Sequence, residues 1–416
     1  MSNKKLTVTL AIIIVLIIAA FTLWLSRISI SRKYINNGTA LFNEGKYNES
    51  LAVFQKAAKW HKKSTHAILG MAKSEYYLAD YEKALIYTGR SVALDSLFTD
   101  AYFYQGLIHI KTNETEAALQ DFSKTIQLDS LYAQAYYHRG VVKAALTDFK
   151  GSVEDYRKAI ALDNENIDAY LKSVEARSAM DDFRGAIGDY DQLLSVDLQN
   201  AEAYTSRGYL KLNINDLDGA LSDFNKALSI NADNTEVIFN RGSVYAKKGD
   251  FQSALKDFSY AIQHQYKLPR ALYNRALTYR NLNKYNESIR DLNELVRIEP
   301  DNAEVYLNMG VVTSMKNDFA ASIQYYDKAI NINPNYAEAY FNRGVSRGNL
   351  KQFEASLPDY NKAIELRKNY PEAYYSRAVS YLNLQRSGDA CDDLKKALDL
   401  GFRAAEELIA IHCSEN

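Results

Sequence analysis

The chain has 416 residues, with 50 Lys and Arg against 51 Asp and Glu and a formal net charge of −1. The charges are scattered, so there is no basic stripe of the kind that neutralises nucleic-acid phosphates, and no nucleic-acid partner is expected. Length alone would give two or three globular domains, but a fixed internal period argues for one linear array.

An uncharged apolar run from Leu6 to Leu25 follows a short N-terminal tail, residues 1–5. Twenty such residues in a helix cross the roughly 30 Å hydrocarbon layer of a bilayer. A cleaved signal peptide is the alternative, but its apolar region is shorter and ends in a small-x-small site, and nothing convincing follows Phe21. The run therefore predicts an uncleaved signal anchor, a single transmembrane helix over 6–25, with residues 26–30 as a short linker.

Positive charge flanks both ends of this run. Lys4 and Lys5 precede it, whereas Arg27, Arg32 and Lys33 follow it. Because loop charge sets orientation only when the two sides differ, these residues leave the orientation of the anchor open.

Residues 31–404 consist of eleven copies of a 34-residue unit without insertion or deletion. The dipeptide Ala-Tyr marks the register at multiples of 34: Ala101-Tyr102, Ala135-Tyr136, Ala169-Tyr170, Ala203-Tyr204, Ala339-Tyr340 and Ala373-Tyr374. A period of this length indicates a solenoid, in which each unit buries its apolar face against its neighbours.

Each copy, numbered from position 1 at residues 31, 65, 99 and so on, has two segments with helical spacing. Apolar or small residues recur at positions 4, 8 and 11 and again at 20, 24 and 27, which is helical rather than strand periodicity. Position 8 is often Gly, as in Gly208, and position 20 is Ala or Ser, as in Ala220. Glycine inside a helix costs about 1 kcal/mol, so its recurrence predicts close approach of the two helices.

The copy Ala337 to Tyr370 resembles the tetratricopeptide repeat (TPR) through Tyr340, Gly344, Phe353, Ser356, Tyr360 and Ala363. The resemblance implies an all-α fold, a right-handed superhelical solenoid of 11 TPR hairpins, with a C-terminal capping helix over 405–416. Departures are Thr88 and Ser91 in the second copy and Val174 in the fifth, where local looseness is expected.

In this family a concave groove, lined by first-helix positions 2, 5, 6, 9, 12 and 13, holds extended peptides or partner helices. Position 5 is mostly apolar or aromatic here: Leu69, Phe103, Tyr137, Leu171, Thr205, Phe239, Tyr273, Leu307, Phe341 and Tyr375. The family's carboxylate clamp needs Lys at position 5 and Asn at position 9, and no copy has that pair.

Position 6 is Asn in four successive copies, at Asn240, Asn274, Asn308 and Asn342. A side-chain amide offers a donor and an acceptor to a passing peptide backbone. The series resembles the asparagine ladder in the repeats of glycosyltransferases that modify Ser and Thr, although Asn is also ordinary consensus there. We predict a partner-binding site formed by these four residues with Phe239, Tyr273, Leu307, Phe341 and Tyr375.

A second regularity pairs Arg at position 7 with Asp at position 23. Arg occurs at 139, 207, 241, 275, 343 and 377, and each of those copies carries the Asp. Counts alone do not distinguish an Asp of the same repeat from one of the preceding repeat. Such a half-buried pair penalises wrong stacking registers, so its role is interpreted as alignment.

Both cysteines, Cys391 and Cys413, lie near the C-terminus and bracket the final helix. A disulfide between them would staple a cap that packs on one side only and frays easily, contributing roughly 3 kcal/mol. Two unrelated buried thiols are the alternative. The segment also resembles the ending of exported bacterial repeat proteins. A disulfide implies an oxidising compartment, hence repeats on the extracytoplasmic side of a bacterial inner membrane.

The sequence contains no catalytic constellation, and no enzyme activity, cofactor, metal or small-molecule substrate is expected. The six histidines share no metal-ligand spacing, and the glycines form no phosphate-binding loop. The predicted function is a membrane-anchored scaffold for protein interactions in envelope assembly. The alternative is a cytoplasm-facing regulatory adaptor, or an accessory subunit that modulates an enzyme.

Overall fold

The computed structural model describes residues 2–413, apart from the side chains of residues 2–5 and 7. The described residues form 23 α-helices and no strand, as the sequence predicts. The chain divides into two compact units, Met1–Ala203 and Tyr204–Asn416, with the division inside α11.

The first unit contains α1 (Ser2–Asn43), α2 (Tyr47–Trp60), α3 (Thr65–Tyr77), α4 (Tyr81–Leu94), α5 (Thr99–Lys111), α6 (Thr115–Leu128), α7 (Ala133–Ala145), α8 (Phe149–Leu162), α9 (Ile167–Ser178) and α10 (Phe183–Val196). Odd-numbered helices are the first helix of a repeat and even-numbered helices the second. Within the unit each helix packs against the next one along the chain.

After α11 (Ala201–Asn213), the second unit contains α12 (Leu217–Ile230), α13 (Thr235–Lys248), α14 (Phe251–Gln263), α15 (Leu268–Asn281), α16 (Tyr285–Ile298), α17 (Ala303–Met315), α18 (Phe319–Ile332), α19 (Ala337–Asn349), α20 (Phe353–Leu366), α21 (Pro371–Asn383), α22 (Ser387–Asp399) and α23 (Ala405–His412). From α2 to α22 every second helix of a repeat starts at position 17, so the 34-residue period of the sequence is also the period of the helices.

The turn within each hairpin places one residue, at position 15, in the left-handed region. Asn317 has φ 62° and Gly249 has φ 81° there. Asp at the next position often caps the second helix, as Asp318 does by accepting from the backbone N–H of Ala321 at 3.1 Å. Local chemistry therefore starts the second helix at the same place in many repeats.

The glycine at position 8 makes room for the aromatic ring at position 24. A Cβ atom on Gly344 would lie 2.7 Å from the ring of Tyr360. The small residue at position 20 also approaches this point, since Ser288 Oγ donates to the carbonyl of Ala276 at 2.8 Å. Both contacts account for the close helix crossing expected from the sequence.

Residues 26–30 are helical and continue α1 without a break, where the sequence analysis places a linker. No Gly or Pro occurs between the apolar run and Gly38, so nothing ends the helix there. At the other end, α23 closes the second unit and buries Ala405, while residues 414–416 of the predicted capping segment lie outside the described part of the chain.

Candidate functional site

The predicted partner-binding residues lie on one set of elements in the second unit, the first helices α13, α15, α17, α19 and α21. We call the residues at positions 5, 6, 9, 12 and 13 of these helices the first-helix face. The structure divides the nine predicted residues into a group whose polar atoms or rings are used inside the protein and a group that is more accessible.

Phe239 and Asn240 belong to the internal group. Phe239 is 3% exposed and packs on the rings of Phe258 and Tyr266, at 5.8 and 5.9 Å between centroids. The amide of Asn240, which is 8% exposed, donates to the hydroxyl of Tyr209. That hydroxyl in turn donates to Glu236 at 3.1 Å, so the amide donor of Asn240 serves the fold.

Asn308 repeats this arrangement two copies later. Its side-chain nitrogen donates to the hydroxyl of Tyr273 at 3.2 Å, and Tyr273 donates to Glu304 Oε1 at 2.5 Å. The oxygen of the Asn308 amide accepts from Arg280 at 3.3 Å. Burial, followed by the hydrogen bond to Glu304, raises the pKa of Tyr273. Asn308 therefore connects α17 to α15.

Asn274 and Asn342 are half-buried, and their side-chain amides make no hydrogen bond to any described residue. Leu307, Phe341 and Tyr375 are also half-buried. The ring of Phe341 lies 4.9 Å from Tyr370, and that of Tyr375 lies 5.0 Å from Phe402. These five residues are half-buried, as is Tyr273, whose hydroxyl is already bonded to Glu304 and Asn308.

A cavity of about 250 Å³ opens between α19 and α21. Its lining includes Val345, Gly348, Asn349, Tyr375, Ser376 and Val379, all of which occupy first-helix-face positions. Sequence reasoning identified Tyr375 but missed the other five. The signal was available, because Gly348 at position 12 leaves open space that a larger side chain would fill.

In the first unit, Leu69 and Phe103 are core residues, while Leu171 is 37% exposed. A second accessible feature is an aromatic cluster formed by Phe42, Tyr47, Tyr76, Tyr77 and Tyr104. Tyr47 and Tyr77 stack at 4.9 Å, and Tyr77 meets Tyr76 edge-on at 5.2 Å. The first unit therefore has an accessible apolar surface at this aromatic cluster, in addition to the first-helix face of the second unit.

The ammonium group of Lys73 lies beside this cluster, 4.6 Å from the ring centroid of Tyr104. Burial lowers the pKa of Lys73, and Asp100 opposes that shift. Lys73, Phe42, Leu69 and Asp100 also line a cavity of about 200 Å³. A cation held over a ring in this way is stabilised by cation–π attraction.

The Arg-Asp regularity is an ion pair within one repeat. Arg275 donates through Nε and Nη2 to both oxygens of Asp291, at 2.8 and 2.7 Å, and through Nη1 to Ser259 of the preceding repeat at 3.1 Å. The same bond to an Asp sixteen residues later is made by Arg139, Arg207, Arg241, Arg343 and Arg377. The guanidinium of Arg275 thus joins two successive hairpins.

Cys391 and Cys413 form a disulfide with their Cα atoms 5.7 Å apart. The bond ties α22 to the end of α23. Beside it, Ala405 is fully buried, and Phe402 and Leu408 pack against the same cluster. The closing helix is therefore held by one covalent bond and a small apolar contact.

One described helix is long and apolar enough to cross a membrane, the stretch Val8–Asn43 near the N-terminus. Its apolar part is unburied, with Leu16 63% and Ile17 62% exposed. The described residues contain no group of His, Cys, Asp and Glu that could hold a metal ion.

Helical hairpins of 34-residue period, with small residues at the crossing, define a helical-repeat protein. More specifically, the chain belongs to the tetratricopeptide repeat family. Models described as "Tetratricopeptide repeat" match residues 133–166, 171–235, 337–370 and 371–400, and one described as "TPR repeat" matches 276–314 and 315–351. Two of these segments, 133–166 and 337–370, coincide with the fourth and tenth predicted repeats.

No match is found among curated proteins. Among solved structures, yeast Tom70 is 15% identical over 92% of this chain and 94% of its own, with a TM-score of 0.40. A tetratricopeptide repeat protein from Parabacteroides merdae is 18% identical over 68% and 99%, with a TM-score of 0.42. MamA from Desulfovibrio magneticus is 16% identical over 40% and 94%, with a TM-score of 0.38. Similarity at this level carries no functional argument.

Proposed function

We propose that this protein is a membrane-anchored scaffold that binds an extended peptide or a helix of a partner protein on the first-helix face of its second unit, in envelope assembly. The observation that carries the proposal is the accessible group on that face, in which half-buried apolar side chains adjoin the amides of Asn274 and Asn342, which make no hydrogen bond to any residue that the structure describes. Apolar pockets beside a few polar groups are typical of peptide-binding surfaces.

Within the proposed site the residues have different roles. Asn274 and Asn342 would bond the partner's backbone, because each amide has a donor and an acceptor available. Leu307, Phe341 and Tyr375 would contact its side chains, and the 250 Å³ cavity beside Tyr375 is large enough for one apolar side chain. Phe239, Asn240 and Asn308, which are buried, would hold this surface in place from beneath, and Tyr273 would support it through its bond with Asn308.

The proposed anchor is the apolar part of α1, residues 6–25. Because residues 26–30 are helical and continue α1 into the first repeat, the first hairpin would be fixed close to the bilayer. A disulfide at the C-terminus is stable in an oxidising compartment, which supports an extracytoplasmic location for the repeats.

Site-specific photo-crosslinking in the native cell tests the binding surface. A photoreactive residue at Leu307 or Tyr375 is expected to give a discrete adduct of higher mass. The matched controls are Lys226 and Lys256, exposed positions on the second helices α12 and α14. Adducts from the control positions only, or from none of the four, would overturn the proposal.

Protease added to intact spheroplasts tests the orientation. Repeats on the extracytoplasmic side are degraded, whereas a cytoplasmic marker protein in the same cells survives. Full protection of the repeats would reverse the proposed orientation without affecting the proposed binding surface.

A further inference from the structure

A basic cavity lies where α1 leaves its apolar segment. The cavity has a volume of about 370 Å³, and its lining includes Ile28, Ser31, Arg32, His61, Lys63 and His66. It lies between α1, the loop of residues 61–64 that follows α2, and the start of α3. The cavity is therefore built by the first hairpin of the first unit and the helix after it.

Two hydrogen bonds fix the walls of this cavity. Ser31 is 1% exposed, and its hydroxyl donates to the carbonyl of Ala57 at 2.9 Å, which holds α1 on α2. Arg90 donates to the carbonyl of Lys62 at 3.2 Å, which holds the loop from the other side. These bonds hold α1 against α2 and fix the backbone of the loop that carries Lys62 and Lys63.

The cavity and its rim have an excess of positive charge. Arg32, Lys62 and Lys63 are exposed, and none of the three forms an ion pair with another described residue. Arg27, Lys33 and Lys59 are exposed nearby on the same two helices. Arg90 of α4 adds positive charge beside Lys62, whereas Asp95 and Asp129 on the neighbouring loops are acidic.

Helix geometry places these basic residues at a defined distance from the end of the apolar run. Ile28 lies three residues beyond Leu25, and Arg32 lies seven beyond it. At about 1.5 Å per residue these positions lie about 4.5 and 10 Å beyond the end of the apolar run. The headgroup layer is roughly 5 to 8 Å thick on each side of the hydrocarbon, and long basic side chains can extend back towards it.

Apolar residues are exposed on the same edge of the first unit, by which we mean the basic cavity together with the loops between successive repeats. Trp60, the last residue of α2, is 43% exposed, and Leu97 and Leu131 on the next two inter-repeat loops are each 71% exposed. Asp95 and Asp129 accept from the backbone N–H of these leucines at 3.0 and 2.9 Å, which orders both loops. Tryptophan beside basic residues is typical of a protein surface at a membrane interface.

We infer that this edge binds the headgroups of anionic phospholipids. The phosphodiester would enter the basic cavity beside Arg32 and Lys63, while Trp60, Leu97 and Leu131 would enter the interfacial layer. Bound in this way, the edge would set the orientation of the first unit relative to the bilayer. The inference rests on the proposed membrane insertion of residues 6–25, since that insertion brings the cavity to the headgroups.

Fluorescence of Trp60 tests this directly. The Trp24→Phe variant of the full chain keeps Trp60 as its only tryptophan. In vesicles of phosphatidylcholine with phosphatidylglycerol, Trp60 emission is expected to shift to shorter wavelength and to be quenched by headgroup spin-labelled lipid. In phosphatidylcholine alone both effects should be much smaller. Absence of any dependence on phosphatidylglycerol would overturn the inference.

Charge variants identify the site. Each basic side chain near an anionic surface strengthens association about fivefold. Arg32→Gln, Lys62→Gln and Lys63→Gln together should therefore lower the equilibrium constant for contact between this edge and phosphatidylglycerol by roughly a hundredfold, which is seen as loss of the Trp60 emission shift. Lys226→Gln, Lys256→Gln and Lys395→Gln change the net charge equally at exposed positions in the second unit and should leave the response unchanged. An equal response from both triple variants would contradict the inference.

Two further arms separate the explanations. Inorganic phosphate added to neutral vesicles should leave Trp60 emission unchanged; the same blue shift with phosphate would assign the cavity to a free anion instead.

Flotation with neutral vesicles after alkaline extraction tests the anchor by itself. Failure to float would overturn the anchor, whereas a floating protein without a phosphatidylglycerol response would overturn only the lipid site.

Discussion

The side-chain amide of Asn308 donates a hydrogen bond of 3.2 Å to the hydroxyl of Tyr273, 35 residues earlier in the chain. This bond joins the first helices of two successive repeats, α17 and α15. Asn308 is only 8% exposed. A residue that sequence alone assigns to partner binding therefore contributes to the packing of neighbouring repeats.

The first prediction separates packing from binding among the four asparagines. Asn308→Ala should lower the free energy of unfolding by about 1 to 2 kcal/mol, because it removes hydrogen bonds from a buried site. Asn274→Ala removes an amide that has no hydrogen-bond partner among the described residues, and it should change stability by less than about 0.5 kcal/mol. Thermal denaturation followed by circular dichroism measures both, and equal effects would contradict the assignment.

The second prediction concerns Ser91, which is fully buried and has a hydroxyl without a hydrogen-bond partner among the described residues. Seven other repeats have Ala at this position, including Ala57 and Ala159. Since a buried hydroxyl without a partner costs about 1 to 3 kcal/mol, Ser91→Ala should stabilise the protein by about 1 kcal/mol.

Ser74→Ala is the matched control for Ser91→Ala. Ser74 is equally buried, but its hydroxyl donates to the carbonyl of Gly70 at 2.9 Å. Its replacement should therefore give no gain in stability. If thermal denaturation finds the same change for both variants, the orphaned hydroxyl of Ser91 is not the cause.

The third prediction uses the pair Arg275 and Asp291. Asp291 is 3% exposed, so Arg275→Met leaves a buried carboxylate without its partner and should cost about 3 kcal/mol. Asp291→Leu should cost less, because the guanidinium of Arg275 is only half-buried and keeps its hydrogen bond to Ser259. The double variant should cost clearly less than the sum of the two, and an additive double-mutant cycle would show that the pair is not coupled.

The fourth prediction concerns the C-terminal staple. Cys391→Ser should increase hydrogen exchange in α23 and in the last hairpin, because energies in a repeat array act between nearest neighbours. Exchange in α13 to α16 provides the internal control and should remain unchanged. Thiol labelling of the denatured, unreduced protein gives the oxidation state directly, and two reactive cysteines would contradict the disulfide in the cell.

Much of the fold follows from periodicity. The second helices begin 34 residues apart because aromatic or capping residues recur at that spacing, as Tyr285, Phe319 and Phe353 illustrate. Residues 26–30, predicted as a short linker, contain no helix-ending signal and continue α1 as helix. An apolar run predicts which residues can lie in a bilayer, but it does not determine where the helix that contains them ends.

The site is less predictable because its contacts cross between repeats. Asn274 and Asn308 occupy the same position in the repeat, and only the second lies against a tyrosine hydroxyl of the preceding repeat. For the Arg pairs, the sequence does not show whether each Arg contacts the Asp of its own repeat or that of the preceding repeat. The structure shows that Arg275 contacts Asp291 of its own repeat and Ser259 of the preceding one. A periodic pattern lists equivalent positions and does not distinguish their neighbours.

The most direct test of the scaffold proposal is the affinity of the partner captured by photo-crosslinking for the full-length protein. With Asn274→Ala and Asn342→Ala combined, binding should weaken about thirtyfold, since each lost hydrogen bond costs about 1 kcal/mol, while the melting temperature stays unchanged. Lys226→Ala with Lys256→Ala should bind as the wild type does. Unchanged affinity in the asparagine double variant would contradict the proposal that the first-helix face holds the partner.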